Sequence, residues 1–121
     1  GYYAEKTISV TLSGVDGAEQ IKAIMAKFRN NAPKEWNATA ITVVEDFKAQ
    51  TATAADGTVT NLTTPPSDVL KYTLADGSWI AVRPSGTEPK IKFYIAVVGE
   101  SNEDSQAKIA NIEAEINAFV K

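Results

Sequence analysis

The chain has 121 residues, 44% hydrophobic and 22% charged, the balance of one ordinary soluble globular domain with a single core. Lys and Arg number 12 and Asp and Glu 15, for a net charge of −3, which argues against nucleic acid or a membrane surface as partner and requires any anion to be held by a local pocket. With no cysteine and no histidine, disulfides, thiolate chemistry, zinc–thiolate sites, the usual general base and the commonest transition-metal ligand are all excluded.

Residues Thr7 to Leu12 alternate, with Ile8, Val10 and Leu12 on one side and Thr7, Ser9 and Thr11 on the other. That period of two predicts a half-buried strand. Tyr2 and Tyr3 before it read as a frayed terminus or a packing staple. Asp16 and Glu19 have capping-box spacing, and Ile21, Ile24, Met25 and Phe28 recur at helical spacing, which predicts a helix from about Gly17 to Arg29. Pro33 stops it. Ile41 to Phe47 is rich in β-branched residues and predicts a second strand, with Glu45 and Asp46 as solvated charges on opposite faces.

Thr51 to Pro66 is Thr- and Ala-rich, carries Asp56-Gly57 and ends in Pro65-Pro66, the features of a solvated excursion with room for a small hairpin. Leu70, Tyr72 and Leu74 alternate, Asp76-Gly77 supplies a turn, and Trp79 to Val82 resumes the apolar run: a hairpin. Ile91, Phe93, Ile95 and Val97 give the strongest strand pattern. Ser101 with Asp104 caps a final helix carrying Ile109, Ile112, Ile116 and Phe119, which should lie across the sheet. Trp36 and Trp79 read as packing residues. The expected class is α+β, a two-layer sandwich of about four to five mainly antiparallel strands and two helices over residues 1–121. No run approaches the roughly 20 apolar residues of a membrane span, and the start lacks a signal-peptide pattern, so the expected location is cytoplasmic.

One stretch goes beyond fold maintenance: Arg83-Pro84-Ser85-Gly86-Thr87-Glu88-Pro89-Lys90, between two predicted strands. Arg83 can meet a phosphate with a planar fork of donors, and Ser85 and Thr87 can add hydroxyls. Gly86 can let successive amides converge on the anion, and Lys90 and Lys92 add positive charge. Glu88 should point outward, paired with a lysine. Pro-Ser-Gly-Thr is also good turn material anywhere, so the residues by themselves leave a bare turn and an anion pocket both open.

That stretch, continued by Ile91-Lys92 and preceded by Gly77-Ser78-Trp79-Ile80-Ala81-Val82, resembles the C-terminal phosphate-binding signature of the α-D-phosphohexomutases, most of all the bacterial phosphoglucomutases and phosphomannomutases. The resemblance is specific over about Asp68 to Val98 and weaker before Thr51. It implies a TATA-binding-protein-like fold and the fourth domain of an enzyme that interconverts hexose 1- and 6-phosphates, with sugar phosphate and the other three domains as partners. It further implies that Arg83, Ser85, Gly86 and Thr87, with Lys90 added, hold the non-reacting phosphate. The phosphoserine, the magnesium ion and the sugar-reading loop are then expected on other domains, with a sugar bisphosphate as activator. No catalytic or metal-binding residue is expected in this chain. Glucose is favoured over mannose on general likeness alone. The competing class is a non-enzymatic binding or protein-interaction module, for instance an RNA platform of Trp79, Phe93 and Tyr94; the acidic balance and the alternation that buries Phe93 weigh against nucleic acid.

Overall fold

Ten elements make up the chain in a computed structural model that describes residues 1–12 and 14–120. They are β1 (Tyr2–Thr11), α1 (Gly17–Asn31), β2 (Glu35–Trp36), β3 (Thr39–Asp46), β4 (Thr51–Ala54), β5 (Val59–Asn61), β6 (Leu70–Leu74), β7 (Trp79–Pro84), β8 (Lys90–Gly99) and α2 (Asn102–Phe119). The strands form one antiparallel sheet in the order β1-β8-β7-β6-β3-β4-β5, with β2 paired to the start of β3. The class is α+β as expected, but the sheet has eight strands among the described residues rather than four or five.

Period-two burial decides which face meets the helices. Leu70, Tyr72 and Leu74 of β6, Ile80 and Val82 of β7, and Ile91, Phe93, Ile95 and Val97 of β8 are all buried, and they form one core cluster with Ile21, Met25 and Phe28 of α1 and Ile109, Ile112 and Ile116 of α2. Phe28 sits at the centre of this layer, with ring centroids 4.5 Å from Phe119 and 5.6 Å from Phe93. The Tyr72 hydroxyl donates to the Phe28 carbonyl at 2.8 Å, tying α1 to the sheet. Burial pushes the Tyr72 phenol well above its usual range, so it stays a neutral donor. Residues between these positions, including Lys71, Trp79, Arg83, Lys92 and Tyr94, lie on the sheet face turned away from the helices.

Helix ends show which local signals were used. Ser101 Oγ accepts from the Asp104 amide at 3.0 Å, the predicted N-cap of α2. Asp104 in turn accepts from the Glu100 amide at 2.9 Å. Asp16 makes no such cap: its carboxylate accepts from the Gln20 side chain at 2.8 Å instead. Ala32, immediately before Pro33, is extended at φ −60° and ψ 149°, and ends α1 two residues later than expected. Gly99 is required by a close approach, because a Cβ there would stand 2.7 Å from the Ser105 amide nitrogen. The buried Ser105 hydroxyl beside it donates to the Tyr2 carbonyl and holds the start of β1.

The other departures have physical causes. Strand β1 begins at Tyr2 because the backbone of Tyr2 to Lys6 pairs with Ile95 to Gly99, although the Tyr2 and Tyr3 side chains remain over half exposed. The Thr51 to Pro66 excursion does contain the small hairpin it had room for, β4 paired with β5, but that hairpin also joins the main sheet, β4 pairing with β3 through Val43 to Asp46, by backbone bonds with little apolar burial. Asp46 is not a solvated charge. Its carboxylate accepts from Arg29 Nε at 2.9 Å and from the Lys48 and Ala49 amides at 3.0 and 3.1 Å.

Candidate functional site

Strands β7 and β8 present the Arg83–Lys90 stretch as the connection of an antiparallel pair. The Ser85 amide donates to the Lys90 carbonyl at 2.8 Å, closing the loop. Inside it the Ser85 hydroxyl accepts from the Thr87 and Glu88 amides, both at 3.4 Å, near the long limit for a hydrogen bond. These two amides are weakly committed and converge on one point. Glu88 points outward and pairs with Lys90 at 3.4 Å, as its charge required.

The register places Arg83 directly across from Lys92. Both lie on the sheet face opposite the helices, and neither makes an ion pair among the described residues. Like charges opposite each other in a ladder destabilise it. Arg83, Pro84, Ser85, Gly86, Lys92 and Tyr94 enclose a small hollow of about 200 Å³. At roughly 30 Å³ per water in the liquid, that is room for about six waters or one tetrahedral oxyanion.

The expected site residues are thus partly gathered and partly divided. Arg83, Ser85 and Gly86 line this hollow. Thr87 lines instead a larger cleft of about 760 Å³ on the α1 side of the loop, which also touches Ser85 and Gly86. Lys90 lines neither and is occupied by Glu88. Gly86 is not held at a left-handed φ, and a Cβ on it would meet nothing within 4 Å. The backbone therefore has no need of glycine there; what glycine offers is an amide unobstructed by a side chain. Tyr94 is the lining residue that sequence reasoning missed as part of an anion pocket, and Lys92, expected only to add positive charge, is itself part of the lining. Counting back across the loop from Arg83 would have found Lys92, and the strand period then adds Tyr94 on the same face.

An aromatic platform of Trp79, Phe93 and Tyr94 does not exist. Phe93 is fully buried on the helix side, and Lys71 Nζ already stands 4.6 Å from the Trp79 ring centroid on the other. Among the described residues no group of three or more Asp or Glu side chains is placed to hold a metal ion. Among the described residues no helix is long and apolar enough to cross a membrane.

Comparison with known proteins places most of the chain, the loop included, within one family. The family model described as phosphoglucomutase/phosphomannomutase, C-terminal domain, matches residues 12–118. A phosphoglucomutase from Staphylococcus aureus (strain bovine RF122 / ET3-1) is 37% identical over 110 residues, covering 90% of this chain and 20% of that protein. The phosphoglucomutase of strain MSSA476 is 36% identical over the same shares. The chain therefore spans about a fifth of the length of the curated relatives it matches. A solution structure of a Cytophaga hutchinsonii protein aligns over 95% of this chain and 87% of that one, with a TM-score of 0.42 and 16% sequence identity.

Proposed function

Since the chain belongs to the phosphoglucomutase/phosphomannomutase C-terminal domain family, we propose that its β7–β8 loop binds the non-reacting phosphate of a hexose phosphate for a phosphohexomutase of which it forms the C-terminal part. The observation that carries this reading is the pair Arg83 and Lys92, two cations without an ion-pair partner among the described residues, set opposite each other in register and lining one hollow with Ser85 and Gly86.

A phosphate near neutral pH carries close to two negative charges and several acceptor oxygens. Arg83 meets two of these oxygens through its planar fork, and the Lys92 ammonium balances the remaining charge. The Ser85 hydroxyl and the Gly86 amide complete the set, and the Tyr94 hydroxyl is a further donor at the rim. All of these contacts go to phosphate and none to sugar hydroxyls. A site of that kind accepts either end of a hexose bisphosphate, which suits an intermediate that must turn around between half-reactions. Binding energy gained at this remote phosphate positions the other end for chemistry supplied elsewhere, and so contributes to rate without a bond-breaking group in this chain. Phosphoserine, magnesium and a sugar bisphosphate activator belong to the rest of the proposed enzyme. Glucose is the hexose favoured by the names of the relatives.

The test is Arg83→Ala. Because Arg83 is exposed and unpaired, the variant keeps the thermal midpoint of the parent, while its affinity for glucose 6-phosphate falls by about tenfold or more, as expected when a charge-assisted pair is lost. Unchanged affinity, or a variant that unfolds, contradicts the reading. The chain alone turns over no glucose 1-phosphate; measured turnover would place catalytic groups in it and refute the division of labour.

A further inference from the structure

The larger cleft, about 760 Å³ between α1 and the back of the β7–β8 loop, is not used by the proposed phosphate pocket. Its floor is Ile21 and Met25, and the small side chains of Ala18 and Ala26 on α1 leave it open. Both ends are fixed. Gly17 lies so close under the loop that a Cβ would stand 2.8 Å from Pro89 Cβ. At the far end Arg29 is held by Asp46 at 2.9 Å and Asp68 at 3.0 Å. A preformed hollow of this size, mainly apolar with a few polar groups, has the character of a small-molecule site.

The polar groups define the ligand. Asp68 and Glu88 line the cleft, but each already has a cation, Arg29 at 3.0 Å and Lys90 at 3.4 Å. Of the lining cations, Lys48 makes no ion pair among the described residues. Lys22 has only an exposed contact with Glu19 at 3.5 Å. The bonds made by Arg29 use Nε and Nη2 and leave Nη1 over. Donors thus exceed acceptors around an apolar floor whose methionine adapts well to a flat ring.

We propose that this cleft binds a compact aromatic carboxylate, its ring on Ile21 and Met25 and its carboxylate toward Lys48 and Arg29. Pro84, Ser85 and Gly86 line both hollows, so occupancy of the cleft alters phosphate affinity through the shared loop wall. The site stands by itself; only the coupling rests on the phosphate reading.

The experiment is an amide-shift titration of the ¹⁵N-labelled chain with 2-naphthoate, with uncharged 2-naphthylmethanol as control and Ala26→Glu as the variant. Ala26 is exposed on α1, so the substitution adds a negative charge to the cleft without touching the core. Expected are saturable shifts at Ala18, Lys22, Ala26 and Thr87, and binding weaker by about tenfold for the alcohol and for the variant. Saturating naphthoate should change the affinity for inorganic phosphate about fivefold or more, and phosphate should change that for naphthoate by the same factor. Shifts only at residues outside the cleft lining, or indifference to Ala26→Glu, overturn the site; equal binding of the alcohol overturns the carboxylate; unaltered phosphate affinity overturns the coupling. A naphthoate response with no phosphate response at Arg83 or Lys92 upholds the cleft and contradicts the phosphate pocket alone.

Discussion

Replacing Asp46 by asparagine removes one charge from the contact that fastens α1 to the end of β3, while keeping the shape of the side chain. The carboxylate accepts from Arg29 Nε at 2.9 Å, Arg29 Nη2 at 3.5 Å, and the Lys48 and Ala49 amides at 3.0 and 3.1 Å. The Arg29 and Asp46 side chains are 24% and 16% exposed, so the pair is neither a free surface bridge nor a dry one. A hydrogen bond to a charged partner contributes about 1.5–3 kcal/mol, and residual solvent access puts the expected loss near the lower half, about 2 kcal/mol at pH 7. With an unfolding entropy of roughly 2.1 cal/mol/K per residue, that is a fall of about 8 °C in the thermal midpoint.

The pH dependence has a definite sign. Burial alone would raise the Asp46 carboxyl, but the hydrogen bonds from Arg29 and from the two turn amides outweigh it and hold the carboxyl below its usual range. A group with a depressed folded pKa contributes stability that is fully present above its unfolded value, about 3.9, and is lost as pH falls through the folded value. Urea unfolding of parent and variant between neutral and strongly acid pH should therefore show a gap that is widest at neutral pH and narrows progressively as pH falls past the unfolded carboxyl value and through the depressed folded one. A gap that stays constant with pH, or one under about 0.5 kcal/mol at neutral pH, would refute the assignment of this ion pair as the fastening.

Three further outcomes follow from single positions. Gly99→Ala forces the new methyl against Ser105 and should cost about 1–3 kcal/mol in unfolding free energy, with early loss of amide protection in β1; a neutral effect would contradict the close approach. Ala38 sits at φ 54° in the two-residue turn between β2 and β3, so Ala38→Gly should raise the thermal midpoint, the relief of about 1–2 kcal/mol of left-handed strain exceeding the added chain entropy; a lowered midpoint would refute this. Gly86→Ala should leave stability unchanged, because open space surrounds the position, yet weaken glucose 6-phosphate binding by screening the loop amide; unaltered binding would remove Gly86 from the pocket.

The sequence was most legible where side-chain burial and local period coincide. Leu70, Tyr72 and Leu74, and Ile91 through Val97, alternate because one face of each strand meets the helices, and the Ser101–Asp104 cap is a purely local device. Strands β4 and β5 were legible only as room for a small hairpin at Asp56-Gly57, because Thr51 to Ala54 and Val59 to Asn61 are held by backbone pairing and bury too little to impose a pattern of their own. Asp16 carried the right spacing for a cap, but Gln20 one turn on competes for its carboxylate. Asp46 reads as a strand charge until Arg29, far away in sequence, arrives beside it. In the candidate site, Arg83, Ser85 and Gly86 were legible as a loop motif, whereas Lys92 and Tyr94 join them only through strand register, and the separation of Thr87 and Lys90 depends on which way the loop turns.

The central claim is that a phosphate is held between Arg83 and Lys92. Amide shifts of the ¹⁵N-labelled chain during titration with glucose 6-phosphate test it most directly, at concentrations into the millimolar range, where about 4 kcal/mol of binding free energy suffices. The account predicts saturable shifts confined to Arg83, Ser85, Gly86, Lys92 and Tyr94, matched by inorganic phosphate and absent with glucose. Shifts produced equally by glucose, or no response at these residues at tens of millimolar ligand, would contradict it.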